Sequence, residues 1–128
     1  MRACRYVRGL GGDAEEVLAA LLHDASEAYL VDVPRPVKPH LAGYKAAERA
    51  VQTVVNRWAG LRDCADRGSF VHRADEVLLA TEARDLMARP PADWRLSNPP
   101  MAEMIVPWDW RTAEREFLAR FFELRGGR

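Results

Sequence analysis

Long hydrophobic runs are missing from this sequence, and none approaches the roughly 18 apolar residues that a transmembrane helix needs. Residues 1–8 are not followed by the apolar stretch of an export signal. Cysteine is nearly absent too, since Cys4 and Cys64 are the only two and lie far apart. So few cysteines exclude a disulfide framework, and we expect two reduced thiols. Together these absences predict a cytoplasmic protein without a membrane partner.

Net charge is also missing, because 19 Lys and Arg residues balance 19 Asp and Glu residues. A protein that coats a nucleic-acid polymer carries a basic face or a strongly basic balance. The absence of both disfavours a DNA-binding helical domain and any nucleic-acid polymer as partner. A small anionic substrate is not excluded, since it needs only a local positive charge.

The alternation typical of β-strands is absent as well, and so are internal repeats. Glycine and proline instead separate amphipathic stretches with helical spacing. We expect helices at about 1–10, 14–24, 42–58, 69–87 and 110–124, with proline-rich loops at 31–39 and 89–107. The 128 residues, 48% of them hydrophobic, are enough for one domain with its own core. The sequence therefore predicts a single compact all-α domain over residues 1–128.

Apolar side chains at helical spacing indicate which helix faces should be buried. In the second helix, Asp13 is the expected N-cap, and Glu15 and Glu16 in the first turn suit the helix dipole. The helix at 42–58 has an apolar stripe of Tyr44, Ala47, Val51, Val54, Val55 and Trp58. The inward residues expected in the last two helices are Val71, Ala74, Val77, Leu78 and Thr81, and Ala113, Phe117, Leu118, Phe121 and Leu124.

Chemically useful side chains are concentrated where the second helix ends. His23 and Asp24 close that helix, and Glu27 would share the face of His23 if the helix continued. Asp32 follows in the first proline-rich loop, and Asp75 lies on an otherwise apolar helix face. Burying such groups costs several kcal/mol unless they are paired, and a divalent metal with an activated water is a natural partner. The plainer alternative is a helix-terminal histidine favoured by the dipole, beside a solvated aspartate.

Three stretches carry a family resemblance. The first is His23-Asp24-Ala25-Ser26-Glu27. The second contains Leu30, Asp32, Pro34 and Pro36-Val37-Lys38, followed by Tyr44-Lys45 and Glu48. The third is Ala74-Asp75 with the run 79–86. Residues 105–108 and 117–121 extend the likeness, which spans nearly the whole chain. The chain resembles the HD-domain metal-dependent phosphohydrolases. It looks most similar to the bacterial 5'-deoxynucleotidases and to phage-type HD hydrolases that act on deoxynucleotides.

The resemblance implies an all-helical HD-type bundle with a divalent metal held by two histidines and two aspartates. His23 and Asp24 match the central pair of ligands, and Asp75 matches the last one. Glu27 matches the acid that orients the attacking water or handles its proton, and Asp32 matches the carboxylate beside the scissile phosphate. The mixed nitrogen and oxygen ligands suit Mn, Co, Fe, Ni or Zn, and Mg is also compatible. A homodimer is a further expectation from the family.

Other polar and aromatic residues have more than one interpretation. Lys38 either neutralises a phosphate or positions the proline-rich loop, and a plain surface role is equally compatible. Glu82 and Asp85 either help to shape the pocket or pair with arginines such as Arg84. The indoles at 108 and 110 fit core or lid positions better than base-stacking platforms.

The chain departs from the family pattern at one ligand. The family places its first metal-binding histidine on a helix before the central pair, yet none of the 22 residues preceding His23 is a histidine. Either the domain lacks its N-terminal helix, or the protein is a degenerate member. His40 and His72 are the candidate substitutes.

The sequence thus predicts a metal-dependent phosphohydrolase that acts on deoxynucleoside mono- or triphosphates through a metal-activated water. The alternative is a truncated or catalytically impaired HD-fold protein that binds nucleotide or a protein partner.

Overall fold

In the residues described by the protein's computed structural model, which are 1–61, 68–90 and 93–126, all regular secondary structure is helical. The helices are α1 (Arg2–Gly9), α2 (Ala14–Leu22), α3 (Glu27–Leu30), α4 (Tyr44–Trp58), α5 (Gly68–Asp85) and α6 (Trp110–Gly126), with a 3-10 helix at Lys38–His40. Those ranges contain no strand, so the all-α prediction is confirmed. None of the helices among them has the length and apolar character needed to cross a membrane. Cys64 lies outside the described residues.

The centre of the fold is α2, which contacts α1, α4, α5 and α6. As the sequence predicts, Asp13 caps it: the Asp13 carboxylate accepts from the backbone N–H groups of Glu15 and Glu16 at 2.8 Å. Glu16 in turn accepts from the Asp13 N–H at 2.8 Å, which completes a capping box. The buried residues of α2 are Val17, Leu18, Ala20, Leu21 and Leu22.

A tight turn joins α1 to α2. The Gly12 N–H donates to the Val7 carbonyl at 3.0 Å, which brings the turn directly against the buried Val7 side chain. A Cβ at position 12 would lie 2.5 Å from Val7 Cγ1 and 2.9 Å from the Val7 carbonyl oxygen. Only glycine fits there without a shift of neighbouring atoms. The thiol of Cys4 in α1 is also buried, and this burial raises the pKa of the thiol.

The inward face predicted for α5 is confirmed. Ala74, Val77 and Thr81 are buried, and two further apolar residues of that face pack partly buried against the core. The Thr81 hydroxyl donates to the Val77 carbonyl at 2.6 Å and accepts from the Met101 N–H at 3.0 Å. Thr81 therefore joins α5 to the loop before α6.

The apolar stripe of α4 is covered only in part, with Val55 packed partly buried against the core, and the buried face predicted for α6 is wrong at three positions. No residue of α4 is buried, and Val54 and Trp58 are 66% and 59% exposed. In α6 only Phe121 and Leu124 of the predicted face are buried, whereas Ala113, Phe117 and Leu118 are more exposed. Helical spacing predicts that apolar residues share a face, but only packing decides whether another element covers it.

One aromatic contact partly covers that exposed surface. Trp58 at the end of α4 stacks on Phe121 of α6, with ring centroids 5.4 Å apart and an interplanar angle of 3°. The Arg125 guanidinium lies 4.6 Å from the Trp58 ring centre and donates to the Trp58 carbonyl at 3.3 Å. This contact joins the C-terminal ends of α4 and α6.

The proline-rich loop at 31–39 also differs in part from expectation. It has no regular secondary structure from 31 to 34, turns at 35–37 and then forms the 3-10 helix Lys38–His40. Pro39 lies in the first turn of that helix, where the proline ring is tolerated because no helical N–H is needed there. The prediction of a wholly extended loop is therefore wrong at its end.

A second loop is fastened to the end of α5. The Arg84 guanidinium donates to the Met101 carbonyl at 2.6 Å and to the Glu103 carbonyl at 3.0 Å. The Asp85 carboxylate, 1% exposed, accepts from Arg84 Nε at 2.6 Å and from the Ile105 N–H at 2.7 Å. These bonds lower the pKa of Asp85 to about 2, and the Arg84 contact is the largest cause. Pairing with an arginine is thus the correct interpretation of Asp85.

The close approach at Gly12 predicts that Gly12→Ala and Gly9→Ala differ in their effect on the stability of the protein. Gly12→Ala should destabilise the protein by roughly 1–3 kcal/mol, because the added methyl group overlaps Val7. Gly9→Ala should be neutral or stabilise by up to about 1 kcal/mol, since its Cβ meets nothing within 4 Å and alanine favours the helix. Urea unfolding of both variants measures the difference. Equal effects would contradict the close approach.

The ion pair at Asp85 predicts a pH-dependent stability. Its folded pKa of about 2 lies below the ordinary 3.8, so its contribution is present above pH 3.8 and disappears as the pH falls towards 2. Asp85→Asn should lower the Tm at pH 7 by about 3–8 °C, and this gap should close near pH 2. Thermal unfolding of both proteins across that range tests it, and a gap independent of pH would refute the assignment.

Candidate functional site

The end of α2 forms the floor of the candidate site. The helix ends at Leu22, His23 is its C-cap, residues 23–26 form a turn, and α3 begins anew at Glu27. The sequence places Glu27 on the face of His23 only if one helix continues through both, and that condition is not met. Glu27 reaches the site because the turn redirects the chain.

Gln52 of α4 closes the break between α2 and α3. Its side-chain Nε2 donates to the Leu22 carbonyl at 2.7 Å, and its Oε1 accepts from the Ser26 N–H at 3.1 Å. Asn56 Oδ1 accepts from the same Nε2 at 2.9 Å. One amide thus accepts from the Ser26 N–H and adds a second donor to the Leu22 carbonyl, which also accepts from the Ala25 N–H at 3.0 Å. Sequence reasoning missed Gln52, since nothing local distinguishes it from a solvated residue of α4.

The imidazole of His23 is held at both nitrogens. Nδ1 lies 3.0 Å from the Ala20 carbonyl, and Nε2 lies 2.8 Å from Asp24 Oδ2. Burial lowers the pKa of His23, but the hydrogen bond and charge of Asp24, the Ala20 carbonyl and the charge of Asp75 together raise it above its ordinary value. The three residues predicted as metal ligands therefore lie close enough to interact.

We name five carboxylates the acidic cluster: Asp24, Glu27, Asp32, Asp75 and Glu82. Asp24 and Asp75 interact with this imidazole, and the other three interact with those two or with one another. Burial raises the pKa of Glu27, with further contributions from the charges of Asp24 and Asp32. Burial also raises the pKa of Glu82, with contributions from Asp75 and then Asp24. The structure thus brings the predicted residues together and adds Glu82 to them. The available signal for Glu82 is its position seven residues after Asp75, two turns along the same helix face.

Lys38 is already bound to carboxylates. Its Nζ lies 2.8 Å from Glu48 Oε1 and 3.9 Å from Glu27 Oε1, and the side chain is 21% exposed. It also lies 5.7 Å from the ring centre of Tyr44, whose hydroxyl donates to the Val31 carbonyl at 2.5 Å. Lys38 and Tyr44 therefore tie the proline-rich loop to α4. Of the roles open from the sequence, this geometry favours positioning of the loop.

The residue before Asp32 has an unusual backbone conformation. Val31 has φ 65° and ψ 137°, although β-branched residues rarely adopt positive φ. Such a conformation costs of order 1–3 kcal/mol and persists only where the surroundings enforce it. The hydrogen bond from Tyr44 to the Val31 carbonyl is part of that enforcement. Asp32 follows directly in the chain, so the backbone conformation of Val31 affects where the Asp32 carboxylate lies.

The donor chemistry of His23 and Asp24 suits a divalent cation. With Nδ1 anchored on a backbone carbonyl, Nε2 would be the metal-binding nitrogen, but here it is paired with Asp24 Oδ2 at 2.8 Å. The set is not complete, however: within 1–61, 68–90 and 93–126, no three His, Cys, Asp or Glu side chains are arranged to hold a metal ion. The candidate substitutes are exposed: His40 is on the 3-10 helix, and His72 lies 3.5 Å from Glu76. The metal centre stays a prediction.

Comparison with known proteins gives one relative. No protein-family model matches the chain, and no solved structure matches it. The chain is similar to the uncharacterized protein YfdR of Escherichia coli (strain K12), with 36% identity over 113 residues. The match covers 86% of this chain and 62% of YfdR, so the chain spans less than two thirds of its relative.

The amide of Gln52 predicts a graded loss of stability. Gln52→Ala should destabilise by roughly 1–3 kcal/mol, because the Ser26 N–H loses its acceptor and the Leu22 carbonyl keeps only its bond from the Ala25 N–H. Gln52→Glu at pH 7, where Glu is ionised, keeps an acceptor for Ser26 but loses the donor to Leu22, so it should fall in between. Urea unfolding gives the order, and an unaffected Gln52→Ala would show that the turn does not depend on this side chain.

Proposed function

We propose that the protein is a metal-dependent phosphohydrolase that acts on deoxynucleotides, either monophosphates or triphosphates. The observation that carries this proposal is the grouping of His23 and Asp24 with the other members of the acidic cluster at the end of α2. The resemblance of residues 23–38 and of Asp75 to the HD phosphohydrolases supplies the reaction class.

Hydrolysis of a phosphate ester needs a nucleophilic water and relief of negative charge at phosphorus. In the proposal, His23, Asp24 and Asp75 hold the divalent ion, for which Mn, Co, Fe, Ni, Zn and Mg are the candidates. When bound, such an ion lowers the pKa of a coordinated water and offsets charge on the substrate. The protein's own groups must then orient the phosphate and take up the proton.

Glu27 is the proposed proton acceptor. Its carboxylate lies in the acidic cluster, in a hydrogen bond with Asp32, and its pKa is raised above the ordinary value by burial and by neighbouring carboxylates. A carboxylate whose pKa moves towards neutrality is a better general base at physiological pH. The contact between Lys38 Nζ and Glu27 Oε1, at 3.9 Å, helps to hold the Glu27 side chain in place.

One observation favours a second candidate function. Because no three donor side chains in the described ranges are arranged for a metal, a protein that binds nucleotides, or a protein partner, without turning substrate over is the alternative. Both candidates use the same cluster and differ only in turnover.

The test is phosphate or polyphosphate release by the purified 128-residue chain. Deoxynucleoside mono- and triphosphates are supplied with Mn, Co or Mg, beside an Asp75→Ala variant. Metal-dependent release that Asp75→Ala abolishes would support the enzyme and name its substrate. Nucleotide binding without release from any substrate in the panel would support the alternative.

Two substitutions separate the proposed roles. Glu27→Gln should bind metal as the unsubstituted protein does but lose a factor of roughly 100 or more in kcat, because the proton acceptor is gone. Asp75→Ala should lose both metal binding and turnover. Glu114→Gln, an exposed residue of α6, is the matched control and should change neither. Isothermal titration with Mn, together with steady-state kinetics, reads both effects; full turnover in Glu27→Gln would remove Glu27 from its role.

A further inference from the structure

A phosphate-bearing substrate meets an unfavourable charge balance at this site. The acidic cluster contributes five carboxylates, and a phosphate monoester carries nearly two negative charges at neutral pH. Lys38, the cation that the sequence offered for the phosphate, is paired with Glu48 at 2.8 Å and is 21% exposed. Moving Lys38 onto a phosphate would leave the partly buried Glu48 carboxylate without its ion pair, which is costly.

Arg35 offers a second cation from the same loop. It lies between Pro34 and Pro36, its side chain is 67% exposed, and its Nη2 lies 3.5 Å from Asp75 Oδ2. This contact reaches from the loop to α5 across the candidate site. At 3.5 Å it is long for a charged hydrogen bond, and it uses one of the five N–H donors of the guanidinium. An exposed pair of this kind contributes little to stability and is easily exchanged for another partner.

We propose that Arg35 is the residue that binds the substrate's phosphate, and that its contact with Asp75 is the resting position of the guanidinium. This inference rests on the proposed function, since it assigns the anion-binding group of that site. A phosphate can accept two parallel N–H bonds from a guanidinium, which is a stronger arrangement than the single contact to Asp75. The prolines on both sides restrict the backbone, so the side chain can turn towards the phosphate while the loop keeps its position.

Binding of simple anions tests Arg35 without any need for turnover. The full chain is titrated with inorganic phosphate and with deoxyadenosine monophosphate in the absence of metal, by isothermal titration or by phosphorus NMR. Arg35→Ala should weaken both affinities by roughly tenfold or more, the range for a lost charged hydrogen bond. Arg35→Lys should be intermediate, because it keeps the charge but loses the planar fork.

The matched control is Arg115→Ala. Arg115 of α6 is 70% exposed and pairs with Glu116 at 3.2 Å, so its removal takes away the same charge from a similar exposed ion pair. It should leave phosphate affinity within about twofold. Equal weakening in Arg115→Ala, or unchanged affinity in Arg35→Ala, would overturn the inference. So would a fall in Tm for Arg35→Ala with unchanged phosphate affinity, since that describes a structural tie to Asp75.

Kinetics distinguish failure of this inference from failure of the proposed function. If the chain hydrolyses a deoxynucleotide, Arg35→Ala should raise KM by roughly tenfold with kcat within about threefold. If no substrate is hydrolysed but Arg35→Ala still loses phosphate affinity, the phosphohydrolase proposal fails while the role of Arg35 as an anion-binding residue stands. If hydrolysis proceeds and Arg35→Ala has an unchanged KM, the role of Arg35 fails alone.

Discussion

Enclosure of α2 is the constraint on which the rest of the structure depends. Helices α1, α4, α5 and α6 contact its sides, so its backbone can leave the core only at its ends. At the C-terminal end, Gln52 donates to the Leu22 carbonyl and accepts from the Ser26 N–H, which lie on either side of the turn. His23 and Asp24 lie between those two residues. The position of the candidate site is therefore a consequence of where the central helix stops.

The acidic cluster concentrates negative charge at the candidate site. Burial, together with the neighbouring carboxylates, raises the pKa of Glu27 and of Glu82, and holding like charges together costs free energy that a bound cation would offset. An anionic substrate gains nothing from those carboxylates. The placement of Lys38 against Glu48 and of Arg35 beside Asp75 thus matters as much to the proposed phosphate chemistry as the residues that resemble metal ligands.

Local signals explain which predictions succeed. Gly12 and Asp13 mark the start of α2 because a close approach and an N-cap are properties of a few adjacent residues. The exposure of Trp58 and Val54 on the apolar stripe of α4 does not follow from the sequence, because burial depends on distant elements covering the face. Lys38 could not be assigned from sequence, since its partner Glu48 lies on another helix. Helical spacing places Glu82 on the same helix face as Asp75, but the proximity of Glu82 to Asp24 requires α2 and α5 to pack together.

The sequence by itself determined the helical class, the limits of most helices, the cap at Asp13 and the concentration of His23 and its neighbouring carboxylates, because helical periodicity and turn chemistry act over a few residues. Only the tertiary structure decided that Asp75 and Glu82 join that group, that Gln52 closes its floor and that Arg35 rather than Lys38 is the exposed cation beside Asp75. Those relations join residues that are far apart in the chain, and packing around α2 brings them within interaction distance.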